Sequence, residues 1–173
     1  MGKTEENLKF AFAGESQARN KYTYFAEVAR KEGYEQIAAI FDETAGNERE
    51  HAKKEFEFLK GIGNTKENLK AAIAGEHYEC SEMYPKFEKE AREEGKKEIA
   101  DLFKEICEVE VQHEKRYKKL LENIENGKVF KKDAEVKWKC ANCGYVHSGK
   151  EAPEKCPACG KPRAYYELLC ENY

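Results

Sequence analysis

Long hydrophobic runs, an excess of one charge and, over most of its length, proline and glycine are what this 173-residue chain lacks. No apolar stretch approaches the roughly 20 residues that cross a bilayer. The opening MGKTEENLKF has no apolar segment of the kind a secretion signal needs. Lys and Arg number 31 against 34 Asp and Glu, so no basic field exists to hold nucleic acid or an anionic membrane. The expectation is a soluble, cytoplasmic protein with neither nucleic acid nor membrane as a partner. A disulfide framework is also missing. Four of the 7 cysteines form two Cys-x-x-Cys pairs, while Cys80, Cys107 and Cys170 are scattered, which fits a reducing compartment. Cys80 and Cys107 lie next to apolar positions and read as small core residues, and Cys170 as a free thiol.

From about residue 4 to about 126, apolar residues recur at helical spacing with little Gly or Pro to interrupt them. Gly33, the GIGNT stretch at 61–65, Gly95 and Gly127 punctuate the pattern as helix C-caps would, giving four helices of roughly 25 to 30 residues. Residues 1–127 are therefore expected to be a helical domain, 128–137 a connection, and 138–173 a separate cysteine module. The helical part is an internal repeat. NLKFAFAGE at 7–15 aligns with NLKAAIAGE at 68–76, an offset of 61, whereas Tyr22 and Tyr84, Glu48 and Glu110, and His51 and His113 align at 62. One residue has been added inside the third helix, and a π-bulge between residues 77 and 85 absorbs a single insertion most cheaply.

The apolar stripe of every helix is broken near its middle by acid: Glu15 in the first, Glu48 with His51 in the second, Glu76 and Glu79 in the third, Glu110 with His113 in the fourth. Burying a lone carboxylate costs several kcal/mol even after relaxation. Five such groups on one layer therefore call for a cation. Glu-x-x-His places a carboxylate and an imidazole on one face a turn apart. Two Glu plus two Glu-x-x-His pairs match the di-metal carboxylate site of helical bundles. Mixed oxygen and nitrogen donors suit iron or manganese. Glu79 faces Ala18 or Gln17 in the repeat, so one metal should have an extra, exchangeable oxygen ligand. Tyr22 and Tyr84 are either core residues or donors to the carboxylates. His77 and His147 read as surface residues.

CANCGY at 140–145 and CPACGK at 156–161 are two Cys-x-x-Cys-Gly knuckles. Four thiolates at this spacing form a tetrahedral site that zinc and iron both fit. A structural zinc ribbon is one reading. A one-electron iron centre serving the neighbouring metal pair is the other. Trp138 and Tyr145 are expected to pack the module rather than relay charge.

With AGESQAR, EREH, GEHYE and EVQH followed by the CxxCG and CPxCG tail, the chain resembles the rubrerythrin family over essentially its whole length. The resemblance implies an all-α, four-helix ferritin-like domain with a rubredoxin-like module. It implies a di-iron site with Glu48 and Glu110 bridging, Glu15 and either Glu79 or His51 on one iron, and Glu76 and His113 on the other. Cys140, Cys143, Cys156 and Cys159 would bind a single iron. The implied activity is reduction of hydrogen peroxide to water. Glu79 and His51 would exchange on one iron, and Tyr22 and Tyr84 would stand by as proton donors. Reducing equivalents would come from NAD(P)H through rubredoxin or its reductase. A head-to-tail homodimer or larger assembly would bring the cysteine module of one chain to the metal pair of another. The rival readings are a ferroxidase, a redox sensor and a zinc-loaded scaffold.

A ferritin-like bundle needs a long crossover between the second and third helices, along a helix of about 40 Å. GIGNT spans at most about 18 Å. Either the bundle is plain up-down-up-down, or helices one and two of one chain pair with three and four of another; the exchange is favoured because it preserves the site geometry that the resemblance implies.

Overall fold

The computed structural model describes residues 2–172. Helices α1 (Lys3–Lys31) and α2 (Glu35–Phe58) form one hairpin. The third helix of the sequence is interrupted: α3 (Thr65–Tyr78) passes through a π segment (Glu79–Met83) into α4 (Tyr84–Glu93). Both α3 and α4 pack on α5 (Lys97–Glu125). The chain divides into two compact units, Met1–Asn64 and Thr65–Tyr173, the second containing the cysteine module.

The π segment falls where the change of offset in the repeat places it. Tyr84 N–H reaches back to Glu79 O, five residues earlier, so the added residue widens one turn and leaves the helix continuous on both sides. The repeat also appears in the packing. Tyr22, Phe25 and Phe41 form an aromatic triad with centroid separations of 6.3, 6.1 and 5.6 Å. Tyr84, Phe87 and Phe103, each 62 residues on, repeat it at 6.4, 6.1 and 5.6 Å. Such ring pairs contribute ~0.5–1.5 kcal/mol each beyond their buried area. The triad rings keep some exposed surface, and the buried residues of the helices are alanines: Ala26, Ala29, Ala38, Ala45, Ala52, Ala91 and Ala100.

Three of the expected glycine caps close α1, α4 and α5. Gly33, Gly95 and Gly127 take φ of 87°, 75° and 65°. Each ends its helix by the paired 6→1 and 5→2 bonds of a Schellman motif. At the end of α2 the expectation needs correction. The left-handed residue is Lys60, at φ 55°, one position before Gly61. Gly61 is required for another reason. Its N–H donates to Phe56 O at 2.9 Å, and a Cβ there would come within 2.0 Å of the Phe56 ring, which itself stacks on Phe12 at 4.8 Å.

The cysteine module is a three-stranded antiparallel sheet of β1 (Lys131–Cys140), β2 (Val146–Glu151) and β3 (Tyr166–Leu168), in the order β2-β1-β3. β1 begins at Lys131, inside the stretch 128–137 read above as a connection. Trp138, with no exposed surface, is the centre of a core with Cys140, Ala152, Cys156 and Tyr166, and its Nε1–H donates to Gly149 O at 3.0 Å. Trp138 therefore packs the module, as expected. No helix among the described residues is long and apolar enough to cross a membrane.

Candidate metal centres

Helical spacing alone carries Glu48 and His51 to one face of α2, and the hairpin turns that face toward Glu15 of α1. His51 Nδ1 lies 3.0 Å from Glu48 Oε2 and 3.8 Å from Glu15 Oε2. The second unit repeats the arrangement, with His113 Nδ1 2.7 Å from Glu110 Oε2 and 3.8 Å from Glu76 Oε2. In each triad one ligand atom per residue lies within 4.8 Å of the others, close enough to share a single ion. Each hairpin thus presents one Glu and one Glu-x-x-His, half of the set that the sequence pattern calls for.

Crowded, half-buried carboxylates hold protons when no cation compensates them. A hydrogen bond shared with Glu48, then burial, raises the Glu15 carboxyl above its ordinary value. Burial, then a hydrogen bond with Glu110, does the same for Glu76. Both triads therefore favour a bound cation, the condition a metal site meets.

Glu79 opens the π segment and is half-buried. It stands outside the tight Glu76–Glu110–His113 group, but its charge helps to raise both Glu76 and Tyr84. Burial is the larger cause at Tyr84, with the charges of Glu79, Glu110 and Glu76 behind it. Tyr22 and Tyr84 head the two aromatic triads. Among the described residues neither phenol donates a hydrogen bond to a carboxylate. His77 is exposed, as expected, but its Nδ1 lies 3.0 Å from Glu114, which also accepts from Lys118 at 2.6 Å. Cys80 lies beside this pair, its thiol turned to His77 O at 3.5 Å.

Sequence reasoning passed over Glu55. Its Oε2 is buried without a hydrogen-bond partner, and its charge acts on Glu15. It lies on the α2 stripe one turn beyond His51, which was the available signal. Its repeat counterpart, Tyr117, is not an acid, so the internal comparison hid it.

The four module cysteines converge, as the two knuckles require. Gly144 and Gly160, at φ 78° and 73°, let each loop turn back, so that their N–H groups donate to Cys140 O and Cys156 O at 2.8 and 2.9 Å. The sulfurs of Cys140 and Cys159 are 3.8 Å apart and those of Cys143 and Cys156 3.6 Å. A tetrahedron with ~2.3 Å metal–sulfur bonds has edges of ~3.8 Å, which these two separations match, and all four sulfurs lie within 4.8 Å of one another. The thiols are also uneven. Burial opposes ionisation of Cys156, but hydrogen bonds, among them those from the Cys159 and Ala158 N–H groups, bring it down to about 6. The Lys161 N–H holds Cys159 below the ordinary thiol value. At Cys143 the Tyr145 N–H pulls down, yet the crowding sulfurs of Cys159, Cys156 and Cys140 carry it up to about 12. Four thiolates cannot coexist at these separations without a metal between them.

A family model described as rubrerythrin matches residues 6–121, and one described as the rubrerythrin rubredoxin-like domain matches residues 138–167. The chain is 53% identical to the rubrerythrin of Porphyromonas gingivalis over 99% of its own length and 92% of that protein's. It is 51% identical to the rubrerythrin of Nitratidesulfovibrio vulgaris, over 99% and 96%. Among solved structures it matches fully reduced, all-ferrous nigerythrin at 37% identity, covering 98% of this chain and 88% of that one, with a TM-score of 0.37. The chain carries the ligand groups of a di-iron carboxylate site and of a four-cysteine rubredoxin-like iron site. With family models covering both its helical part and its cysteine module, this chain belongs to the rubrerythrin family.

Proposed function

We propose that the protein is a non-haem di-iron peroxidase that reduces hydrogen peroxide to water in the cytoplasm. One observation carries the reading: a single chain holds two repeat-related Glu/Glu-x-x-His triads and a four-cysteine cluster. A ferroxidase that stores iron has no need of a reductant inlet, and the cysteine cluster is one.

In this reading Glu48 and Glu110 would be shared by the metal pair, with Glu15 and either Glu79 or His51 held for one iron and Glu76 and His113 for the other. Cys140, Cys143, Cys156 and Cys159 hold the third iron. When bound, the iron pair would supply the two electrons needed for O–O cleavage, with the four-cysteine iron as their one-electron source. The chain's own residues supply the rest. Glu79 and His51 offer alternative donors to one position, so that its ligand set can follow its charge. Protons for the two waters come through the carboxylates and the Tyr22 and Tyr84 phenols, of which Tyr84 feels the charges of Glu79, Glu110 and Glu76. Electrons arrive from NAD(P)H through a rubredoxin or its reductase.

A second copy completes the assembly, with helices α1 and α2 of one chain closing on α3 to α5 of another. Two features support this exchange. Large apolar side chains of both hairpins are exposed, including Phe10 at 84% and Phe58 at 67% in the first and Leu102 at 55% in the second. The connection between α2 and α3, residues 59–64, reaches at most about 21 Å, against about 36 Å for α2. The cysteine module then serves the metal pair of the partner in a head-to-tail arrangement.

Anaerobic reduction of the iron-loaded protein, followed by one equivalent of hydrogen peroxide, tests the activity. The visible absorption of the oxidised thiolate iron should return promptly and do so faster than with dioxygen. In Glu110→Ala the return should slow about 100-fold or more. Equal rates for the variant and the unaltered protein would refute the reading.

A further inference from the structure

The π segment leaves the Cys80 carbonyl with a problem. In an α-helix, Cys80 O would accept from Tyr84 N–H, but that donor is committed to Glu79 O. In a continued π turn it would accept from residue 85, which is proline and has no N–H. Neither backbone donor that could reach the Cys80 carbonyl therefore bonds it. The Cys107 thiol of α5 does, at 3.0 Å.

The internal repeat supplies a control. The first half has no bulge. It has Thr23, which carries a backbone N–H, where the second has Pro85, and the buried Ala45 where the second has Cys107. The proline, the widened turn and the thiol occur together in one half and are all missing from the other. Burial pushes the Cys107 thiol up, which keeps the proton that the bond needs.

We propose that Cys107 is a positioning residue: its S–H replaces the backbone donor that the π turn and Pro85 remove from Cys80 O, and so holds the register that sets Glu79 on the acid-bearing face of its helix. The bond ties α5, which carries Glu110 and His113, to the segment that carries Glu79. The proposal concerns the helix itself and holds whatever oxidant the centre turns over.

Amide hydrogen exchange in the full-length, metal-loaded protein tests it, with the amides of residues 69–76 in α3 as the reference within the same helix. Cys107→Ala should accelerate exchange at Met83 and Tyr84 about tenfold over that reference, the scale expected for a buried acceptor left without a donor. Cys107→Ser, which retains a donor, should stay within about threefold of the unaltered chain. Pro85→Ala restores a backbone N–H in reach of Cys80 O, and in that background Cys107→Ala should have no effect. The proposal fails if Cys107→Ala is silent with Pro85 in place, if Ser behaves as Ala, or if the effect of Cys107→Ala is equally large in the Pro85→Ala background. The last outcome would mark a simple packing role.

Discussion

Replacing Gly61 with alanine adds one methyl group at a point where the surroundings leave no room. The new Cβ would stand 2.0, 2.2 and 2.4 Å from Cε2, Cζ and Cδ2 of Phe56, where carbon atoms normally rest about 3.5–4.0 Å apart. The backbone cannot retreat, because the Gly61 N–H closes α2 on Phe56 O at 2.9 Å. The ring must rotate instead, and it then loses its stack on Phe12, now 4.8 Å between centroids with planes 13° apart. Loss of the stack costs ~0.5–1.5 kcal/mol and overpacking ~1–3 kcal/mol. A destabilisation of about 1.5–4.5 kcal/mol follows, or roughly 3–18 °C in Tm for a chain of this size. Denaturant unfolding of the metal-loaded protein measures it. Two comparisons isolate the cause. Gly46→Ala, in α2 with nothing within 4 Å of the added carbon, should stabilise by about 0.5–1 kcal/mol. In a Phe56→Ala background, Gly61→Ala should cost nothing further. If Gly61→Ala unfolds within about 0.5 kcal/mol of the unaltered protein, the margin of error of such measurements, the steric reasoning is wrong.

Other outcomes follow from the electrostatics and the module core. In metal-free protein, Glu15 and Glu76 hold protons to higher pH than the unfolded chain does, so stability should fall as pH rises from the ordinary carboxylate value of 4.5 toward neutrality. Loaded with iron, whose ligands must be ionised, the protein should show the opposite slope. Melting curves across that range check both, and a metal-free Glu15→Gln/Glu76→Gln variant with an undiminished slope would count against the assignment. Glu94, Glu114, Asp133 and Glu151, held low by lysine partners, act below the ordinary range and leave this window clear. Trp138→Phe removes the donor to Gly149 O from the centre of the module core and should cost about 1–3 kcal/mol. Faster loss of the thiolate iron to a chelator, with the carboxylate site unchanged, would show that the damage is confined to the module.

What could be read from the sequence followed from periodicity and from the chain's comparison with itself. The shift of offset from 61 to 62 located the π segment, because a helix can hide one extra residue only by widening a turn. Glu-x-x-His placed Glu48, His51, Glu110 and His113, because spacing alone sets a helix face. Three glycine caps were legible because only glycine takes their backbone angles cheaply. The end of α2 was not, because Lys60 occupies the left-handed position and nothing in a lysine announces it. Glu55 stayed hidden because burial without a partner is a property of the packed hairpin. The ordering of the thiols, with Cys156 low and Cys143 high, depends on where backbone N–H groups point, and no spacing records that. The bond from Cys107 to Cys80 O joins residues 27 apart and exists only once α5 is docked.

The matched aromatic triads, whose centroid separations agree to within 0.1 Å, bear on how such a molecule can change. A chain that encodes the same hairpin twice has a spare. One copy can keep its fold and its donors intact while the other accepts an inserted residue, a proline and a new thiol, and gains a carboxylate its twin does not have. The asymmetry at Glu79 is then an innovation confined to one half of a duplicated plan.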